Sequence, residues 1–233
     1  MANIRTYSLI LGICCCLFSC GNQDFSISGH LEQGKDNCLF IDEINPDGIA
    51  VLDTLLLING NFSYRIRSKE EGLYRIRLDD TTFVPFMGGR HDKLVFSGNA
   101  NNLTHSYRIS GNESSEILWE VQQQINDMYR LTDSLSKLFI QAQKEERLDS
   151  ITPLLDSCYF TNFQSCRSYL RNIIDNHLGE LVTLPLFYQR IGTRNFFSEK
   201  NDAELFMNIC QQLLKKHPDN KHVRALQEKY GLK

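Results

Sequence analysis

The chain has 233 residues, of which 42% are hydrophobic and 23% are charged, and its formal net charge is −3. This composition is typical of a folded protein and excludes a disordered tail. Lys and Arg number 25 against 28 Asp and Glu, so the cationic excess that attracts phosphates is absent and nucleic-acid binding is not expected.

The first twenty residues have the pattern of a secretory signal. Arg5 supplies a positive charge and the apolar run Tyr7–Phe18 follows it, which is shorter than the roughly 20 apolar residues of a membrane-spanning helix. Leu17-Phe18-Ser19-Cys20 resembles the bacterial lipobox, which implies diacylglyceryl transfer to Cys20 and cleavage before it. The alternative is a plain secretory signal in which Cys20 is one more cysteine of the apolar region.

Cleavage before Cys20 divides the chain into a signal peptide, residues 1–19, a short tether, residues 20–24, and a folded part. Because Arg5 is the only charged residue that is removed, the mature net charge becomes −4. Each buried methylene of an acyl chain contributes about 0.8 kcal/mol, so two or more chains hold a protein on a membrane without a spanning helix. We therefore predict a bacterial cell-envelope protein that is lipid-anchored through Cys20, with the outer membrane favoured, and that faces the periplasm or the exterior.

Residues 25–111 predict a β-rich domain, because short runs of β-branched and aromatic residues alternate with Gly, Asn and Asp. We expect about eight strands, near Phe25–Leu31, Cys38–Ile41, Ile49–Leu57, Phe62–Arg67, Leu73–Leu78, Thr82–Met87, Lys93–Ser97 and Ser106–Ile109. Asn59-Gly60 tolerates the positive φ of a tight hairpin, so the strands on its two sides are expected to pair. The regular spacing favours an antiparallel β-sandwich or a partly open barrel.

Residues 112–233 predict a helical domain, since the apolar period changes after Gly111. A long helix capped by Ser114 or Ser115 is expected first, and a second helix is expected after Pro153. The first helix carries an apolar stripe made of Val121, Ile125, Met128, Thr132, Leu135, Phe139 and Ala142, which Leu118, Leu131 and Leu138 broaden. Further helices are expected at residues 181–189, 202–216 and 220–230. The predicted fold class is thus α+β, with the β domain first.

The stripe over residues 121–142 is compatible with two arrangements. It suits a helical hairpin within one chain, in which the second helix covers the first, and this arrangement is favoured. It equally has the spacing of a short coiled coil between two chains, so a homodimer through this helix stays open.

Thiol redox chemistry usually requires two cysteines close together, most often as Cys-x-x-Cys at the start of a helix. The mature chain has no such motif, and Cys38 and Cys210 are isolated. Cys158 and Cys166 lie eight residues apart on one predicted helix, about 12 Å along its axis, which is too far for a disulfide. We interpret them as buried structural thiols, while the disulfide state of the four cysteines stays open.

The other reactive residue types form no recognisable catalytic or metal site. The six histidines lack metal-ligand spacing, and no phosphate-loop or dinucleotide motif is present, so neither a metal nor a cofactor is expected. Gly88-Gly89-Arg90-His91 predicts a turn between strands. In each of the pairs Asp42-Glu43 and Asp79-Asp80, the two adjacent side chains point to opposite faces of a strand and cannot act together on one substrate atom. Both pairs are interpreted as solvated strand ends. Trp119 is interpreted as a core residue.

Several short patterns together resemble the family called domain of unknown function 4369. These patterns are Ile27-Ser28-Gly29, Leu52-Asp53-Thr54 up to Gly60-Asn61-Phe62, Gly72-Leu73-Tyr74-Arg75-Ile76, Gly98-Asn99-Ala100-Asn101-Asn102-Leu103 and Tyr107-Arg108-Ile109-Ser110-Gly111. The resemblance implies a β module that opens envelope lipoproteins of Gram-negative bacteria. In many of these a helical segment and a thioredoxin-like thiol-disulfide oxidoreductase domain follow.

The chain lacks the Trp-Cys-x-x-Cys motif of that redox domain, so no catalytic residue is carried over from the family. We therefore expect a non-catalytic binding or scaffolding module with a protein, peptide or glycan partner, and an accessory role in thiol-disulfide exchange is one option for it. The alternative is a thioredoxin-like oxidoreductase lipoprotein that is truncated before its catalytic domain. An in-frame Trp-Cys-x-x-Cys in the DNA beyond the last codon would favour truncation.

Overall fold

The computed structural model describes residues 24–35 and 37–232, which form an α+β protein with strands first and helices second. The predicted fold class is thereby confirmed. The signal peptide, Cys20 and most of the tether lie outside the described residues.

The β region contains eight strands in two four-stranded sheets. The first sheet has the order β4-β1-β7-β8 and the second has the order β3-β2-β5-β6. The strands are β1 (Asp24–Glu32), β2 (Cys38–Asn45), β3 (Gly48–Leu56), β4 (Asn61–Arg67), β5 (Gly72–Arg77), β6 (Phe83–Gly88), β7 (Lys93–Asn99) and β8 (Arg108–Ser110). Within these sheets every pair is antiparallel except β1 with β7, which is parallel.

The turn at Asn59-Gly60 is present, but it does not close the predicted hairpin. Both residues have positive φ, 52° and 80°, and a single bridge joins Ile58 to Asn61. β3 nevertheless pairs with β2 in one sheet, whereas β4 pairs with β1 in the other. The Leu31 amide donates to the Gly60 carbonyl at 2.8 Å, so β1 holds the turn and the chain crosses between sheets there.

The two sheets face each other across one apolar core, as expected for a sandwich, and they form no closed barrel in the described part of the chain. Side chains alternate along each strand, so every second residue points inward. The core includes Phe25, Ile27, Leu31, Leu39, Ile41, Phe62, Ile66, Tyr74, Ile76, Val84, Phe86, Leu94, Phe96 and Ile109. Tyr74 stacks on Phe86 with ring centroids 5.4 Å apart.

In the described part of the chain, the remaining elements are six α-helices, a 3₁₀ turn (Ala100–Asn102) and a two-stranded ribbon. They are α1 (Leu103–Ser106), α2 (Glu113–Lys144), α3 (Leu148–Asn176), α4 (Thr183–Phe187), β9 (Arg190–Ile191), β10 (Arg194–Asn195), α5 (Ala203–Lys216) and α6 (Lys221–Tyr230). Among these helices, none combines the length and the apolar character that crossing a membrane requires.

Two predicted helix boundaries are wrong. The N-cap of α2 is Asn112, whose side-chain oxygen accepts from the Ser115 amide at 3.0 Å, so neither Ser114 nor Ser115 is the cap. Ser115 is one turn further on, where its hydroxyl contacts β6. α3 begins five residues before Pro153 rather than after it. A proline removes only one hydrogen bond, to the residue four positions earlier, and this loss falls at the frayed start of the helix.

α2 and α3 form the expected hairpin within one chain. At its base, Val121, Ile125 and Met128 are buried against the rest of the protein. Towards the tip, Leu138 and Phe139 are 46% and 41% exposed. Ala142, at the end of the stripe, is 1% exposed. Within the predicted stripe, only the section between Met128 and Ala142 is therefore left for a partner chain.

The base of this hairpin packs on the outer face of the second sheet. The core of the helical region takes in Met87 of β6, and Leu73 of β5 packs against its edge. The Ser115 hydroxyl accepts from the Met87 amide at 3.0 Å and donates to the Met87 carbonyl at 2.5 Å. It thereby replaces the missing neighbour strand along β6 and joins the two regions.

Candidate functional site

A cavity lies where the outer face of the second sheet meets the helices, and we call it the junction pocket. Its volume is about 340 Å³. The walls are mainly apolar, and the residues that line it are Ile44, Asn45, Glu71, Gly72, Leu73, Pro85, Met87, Leu118, Leu181, Leu184, Pro185, Tyr188, Gln189 and His222. An apolar cavity with a few polar groups is the usual form of a small-molecule site.

Strand alternation explains why the sheet contributes apolar side chains here. In β5 and β6, Tyr74 and Phe86 point into the sandwich, so their neighbours Leu73 and Met87 point outward to the helices. Apolar residues on both faces of a strand indicate that both faces are covered. The adjacent apolar residues Leu73-Tyr74 and Phe86-Met87 are the signal in the sequence for this second covered face, which the predicted alternation of apolar and polar residues did not include.

The start of α6 closes one side of the pocket and is tied to the β region. The Asn220 side-chain amide donates to the Glu71 carbonyl at 2.9 Å, and the Lys221 amide donates to Glu70 Oε1 at 3.2 Å. The Lys221 ammonium donates to Glu43 Oε1 at 2.5 Å and to Asn45 Oδ1 at 2.6 Å. These bonds hold His222, the next residue, at the pocket wall.

His222 is the unsatisfied polar group of the pocket. Its Nε2 atom is buried and makes no hydrogen bond within the described residues. Burial, together with the neighbouring Lys221 ammonium, lowers the pKa of His222. The imidazole is therefore neutral at pH 7 and has an unused hydrogen-bonding atom.

Glu71 also lines the junction pocket, and it lines in addition a separate cavity to which Asp92 and His217 contribute. Burial raises its pKa, and the nearby carboxylates of Asp92 and Glu180 act in the same direction, whereas a Ser114 hydrogen bond and His217 oppose them. Neither Glu71 nor His222 was a predicted site residue, and no spacing in the sequence connects them, because 151 positions separate them along the chain.

A second, more open cleft of about 640 Å³ continues from the junction pocket. The two cavities adjoin each other, because Pro85 and Gln189 line both. The cleft is lined by Phe83, Tyr129, Arg130 and His105 among others. Its aromatic and polar lining contrasts with the mainly apolar pocket.

The thiols lie away from both cavities. Cys38 is exposed, Cys158 is half-buried, and Cys166 and Cys210 are buried; none of the four forms a disulfide. Burial raises the pKa of Cys166 and of Cys210 to about 11, so neither supplies a thiolate at neutral pH. The interpretation as a buried thiol is confirmed for Cys166, and it is wrong for Cys158, which is only half-buried.

The interpretation of Asp42-Glu43 as solvated strand ends is wrong, because both residues lie inside β2. Glu43 is half-buried and paired with Lys221, and Asp42 is completely buried. Its Oδ2 accepts from Arg75 Nε at 2.6 Å and from Arg77 Nε at 2.7 Å. A register shift in the β2–β3 pairing between Ile41 and Asp42 accompanies this placement. Asp42 therefore anchors a structural ion pair.

Three other interpretations are confirmed. Asp79 is exposed in a turn, where hydrogen bonds from Thr81 and Thr82 lower its pKa to about 2. Gly88 and Gly89 lead into the turn between β6 and β7. Trp119 packs against the β core and donates from Nε1 to the Tyr107 carbonyl at 2.7 Å.

The pocket has polar groups but no arrangement typical of catalysis. The Tyr188 hydroxyl already donates to Glu199 Oε1 at 2.8 Å, and burial and Glu199 raise its pKa. Within residues 24–35 and 37–232, no His, Cys, Asp and Glu side chains gather in a group that could hold a metal ion. The arrangement can hold a ligand by apolar contact and hydrogen bonds.

A scan against known protein families finds no match to the chain, and no curated protein matches it significantly in sequence. The resemblance to domain of unknown function 4369 therefore stays a prediction.

Proposed function

We propose that the protein is a non-catalytic binding module, held at a bacterial envelope membrane by a lipid on Cys20. A small ligand binds in the junction pocket. A protein, peptide or glycan partner binds the same folded part of the protein. The observation that carries the proposal is the apolar pocket of about 340 Å³ between the second sheet and the helices.

The site is suited to binding because its walls are supported from both sides. Leu73 and Met87 come from paired strands, and Leu118 comes from a helix whose base is buried. A cavity between rigid layers is largely formed before the ligand arrives, which lowers the entropic cost of binding. The lining contains no cysteine or serine that could act as a nucleophile.

The lipid anchor and the envelope location rest on Arg5, the apolar run and the lipobox-like end of the signal. A net charge of −4 on the mature chain suits a body that is held near a membrane by lipid rather than by basic residues.

Thiol-disulfide exchange by the cysteines of the folded part is the second candidate function, and the structure favours it less than binding. Cys158 and Cys166 lie on one continuous helix, and the buried Cys166 and Cys210 have raised pKa values. Purified protein starting at residue 21 should show no insulin reductase turnover. Measurable turnover would favour the oxidoreductase alternative.

Ligand binding is tested by titrating n-octanol and following the methyl NMR signals of Met87 and Leu118. We expect saturable shifts in the unmodified protein. Leu184→Trp fills the pocket and should abolish them, whereas Leu214→Trp changes a half-buried leucine outside the lining and should not. Absence of saturable shifts in the unmodified protein would refute the pocket as a binding site.

The anchor has a separate test. Cys20→Ala should release the protein from membranes into the soluble fraction, and unchanged membrane retention would contradict the lipid anchor. A homodimer through the α2 stripe would use the exposed hairpin tip, where Leu138 and Phe139 lie. Sedimentation as a monomer at micromolar concentration would remove the homodimer.

A further inference from the structure

The outer faces of the two sheets differ in what covers them. Helices pack on the outer face of the second sheet, whereas the outer face of the first sheet is open to solvent. Ser28 of β1 lies between Ser63 of β4 and Val95 of β7 on this open face, and all three are exposed. Many of its residues are serines, so the long side chains of its basic residues extend above a low surface.

This open face is basic, although the protein as a whole is acidic. The charged residues that strand alternation places on it are the bases Arg65, Arg67, Lys93 and Arg108 and the carboxylates Asp24 and Glu32. Glu113 and Glu116 follow beyond β8, at the start of α2. The mature chain has a net charge of −4, so the open face has the opposite sign to the rest. We call it the basic face.

Three of its bases surround the start of β1. Arg67 pairs in register with Asp24, the first residue of β1, and in the next row of this face Ser26 lies between Arg65 and Lys93. The two rows are about 7 Å apart, because two strand residues span that distance. Asp24 lies 3.9 Å from Arg67, whose side chain is 89% exposed, so the guanidinium stays accessible to solvent.

The proposed lipid attachment point is close to the same end of the sheet. Residues 20–23 join Cys20 to Asp24, and four residues reach at most about 14 Å. A protein on so short a connection presents to the membrane a surface that adjoins the start of β1. Anionic lipid attracts Lys and Arg side chains close to the membrane surface and repels carboxylates, so it turns the basic face towards itself.

We propose that the basic face lies against anionic phospholipid headgroups, with Arg65, Arg67 and Lys93 contacting their phosphates. This inference rests on the proposed lipid anchor and adds the surface of the protein that faces the membrane. The lipid supplies the attachment and the bases supply the orientation. The junction pocket and the helices, which lie beyond the second sheet, then face away from the membrane.

The test measures which face of the anchored protein lies at the membrane. Protein starting at residue 20 is coupled through the Cys20 thiol to a maleimide phospholipid, so the result does not depend on lipidation in the cell. Cys38→Ser and Cys158→Ser remove the other accessible thiols, since Cys166 and Cys210 are buried. The protein is studied on nanodiscs of phosphatidylcholine and phosphatidylglycerol in equal parts, with a trace of phospholipid that carries a nitroxide on its headgroup.

The readout is the paramagnetic broadening of two valine methyl signals. Val95 lies on the basic face and Val51 lies in β3 of the second sheet, and they are similarly exposed, at 56% and 58%. Stacked sheets are about 10 Å apart, and paramagnetic broadening falls steeply with distance, so Val95 should broaden several-fold more than Val51. In about 1 M salt, where the Debye length is about 3 Å, this difference should be lost.

Two variants that each lack three positive charges test the bases. The first replaces the bases beside the start of β1 and should abolish the difference between the valines: Arg65→Gln, Arg67→Gln and Lys93→Gln. The control replaces three exposed bases of the helical region and should keep the difference: Lys144→Gln, Arg190→Gln and Lys200→Gln. Circular dichroism checks that both variants are folded.

Equal broadening of the two valines, or stronger broadening of Val51, would overturn the proposal. An unchanged preference for Val95 in the folded first variant would do the same. The same preference on nanodiscs of phosphatidylcholine alone would show that anionic headgroups do not orient the protein, which also contradicts the proposal. Failure of the lipid anchor gives a different result: Cys20→Ala leaves membrane retention in cells unchanged, while the coupled protein still shows the Val95 preference.

Discussion

The two apolar cores of this protein are completed in different ways. The β core lies between two sheets, and its buried members all come from residues 25–109. The helical core includes Met87, a strand residue, and has Leu73 packed against its edge. The β region thus encloses its own core, whereas the helical region uses a sheet face as one of its layers.

The contrast has a simple geometric cause. Two sheets can bury one face each against one another. The α2–α3 hairpin buries each helix on the other, but at its base a third surface is needed, and β6 supplies it. Where that third layer ends, Leu138 and Ile140 become exposed. The junction pocket lies at the boundary that this dependence creates.

The comparison is tested most directly by expressing the two regions separately. Residues 24–111 should unfold cooperatively in urea, because their core is self-contained. Residues 112–232 should keep helical circular dichroism but lose cooperative unfolding, since Met87 and Leu73 are missing. A cooperative transition of the helical fragment would show that it does not depend on the sheet.

Met87→Ala tests the same dependence by a single change. Met87 is 2% exposed, so its truncation should lower the free energy of unfolding by about 2–5 kcal/mol. Hydrogen exchange should accelerate in α2 and α5 more than in β1 and β7. Leu154→Ala, at a site that is 66% exposed, should change stability by less than about 0.5 kcal/mol. Faster exchange confined to the sheets would contradict the assignment of Met87 to the helical core.

Ser115→Ala removes the hydroxyl that bonds the Met87 amide and carbonyl. Because the buried backbone groups would lose their partner, the free energy of unfolding should fall by about 1–3 kcal/mol. Ser136, whose hydroxyl donates to the Thr132 carbonyl on the exposed side of α2, provides the matched control. Equal effects of Ser115→Ala and Ser136→Ala in urea unfolding would exclude a special role for the joint.

The smallest expected effect is a pH dependence at the junction. Burial lowers the pKa of His222 from 6.5, so its contribution to stability is present above pH 6.5 and is lost as pH falls through the lowered pKa. Burial raises the pKa of Glu71 from 4.5, so its contribution is present below pH 4.5 and is lost as pH rises through the raised pKa.

Replacing the imidazole of His222 separates its contribution to the pH dependence of stability from that of Glu71. Between pH 7.5 and 5, the unmodified protein should lose more stability than His222→Gln, measured by urea unfolding at both pH values. An identical pH dependence of the two proteins would show that His222 does not titrate differently in the folded state.

Local patterns predicted the elements well. Strand alternation located all eight strands of the sandwich, and the apolar stripe located α2. The predictions fail where a contact with a residue far away in the sequence determines the position of a side chain. Ser115 has a cap-like sequence position, yet its hydroxyl bonds Met87, and Asn112 caps the helix instead. The sequence around Asp42 predicts a solvated residue, but in the structure Asp42 is buried and forms ion pairs with two arginines of the neighbouring strand β5.

The sequence by itself determined the fold class, the order of the two regions and the lack of a redox motif, because these depend on periodicity and on adjacent residues. Only the tertiary structure decided that β3 and β4 belong to different sheets, and that Glu71 and His222 share a pocket wall. The pairing of strands that are distant in sequence depends on the packing of whole layers. The contact between the residues just before β5 and the start of α6 depends on it as well. No spacing along the chain encodes that packing.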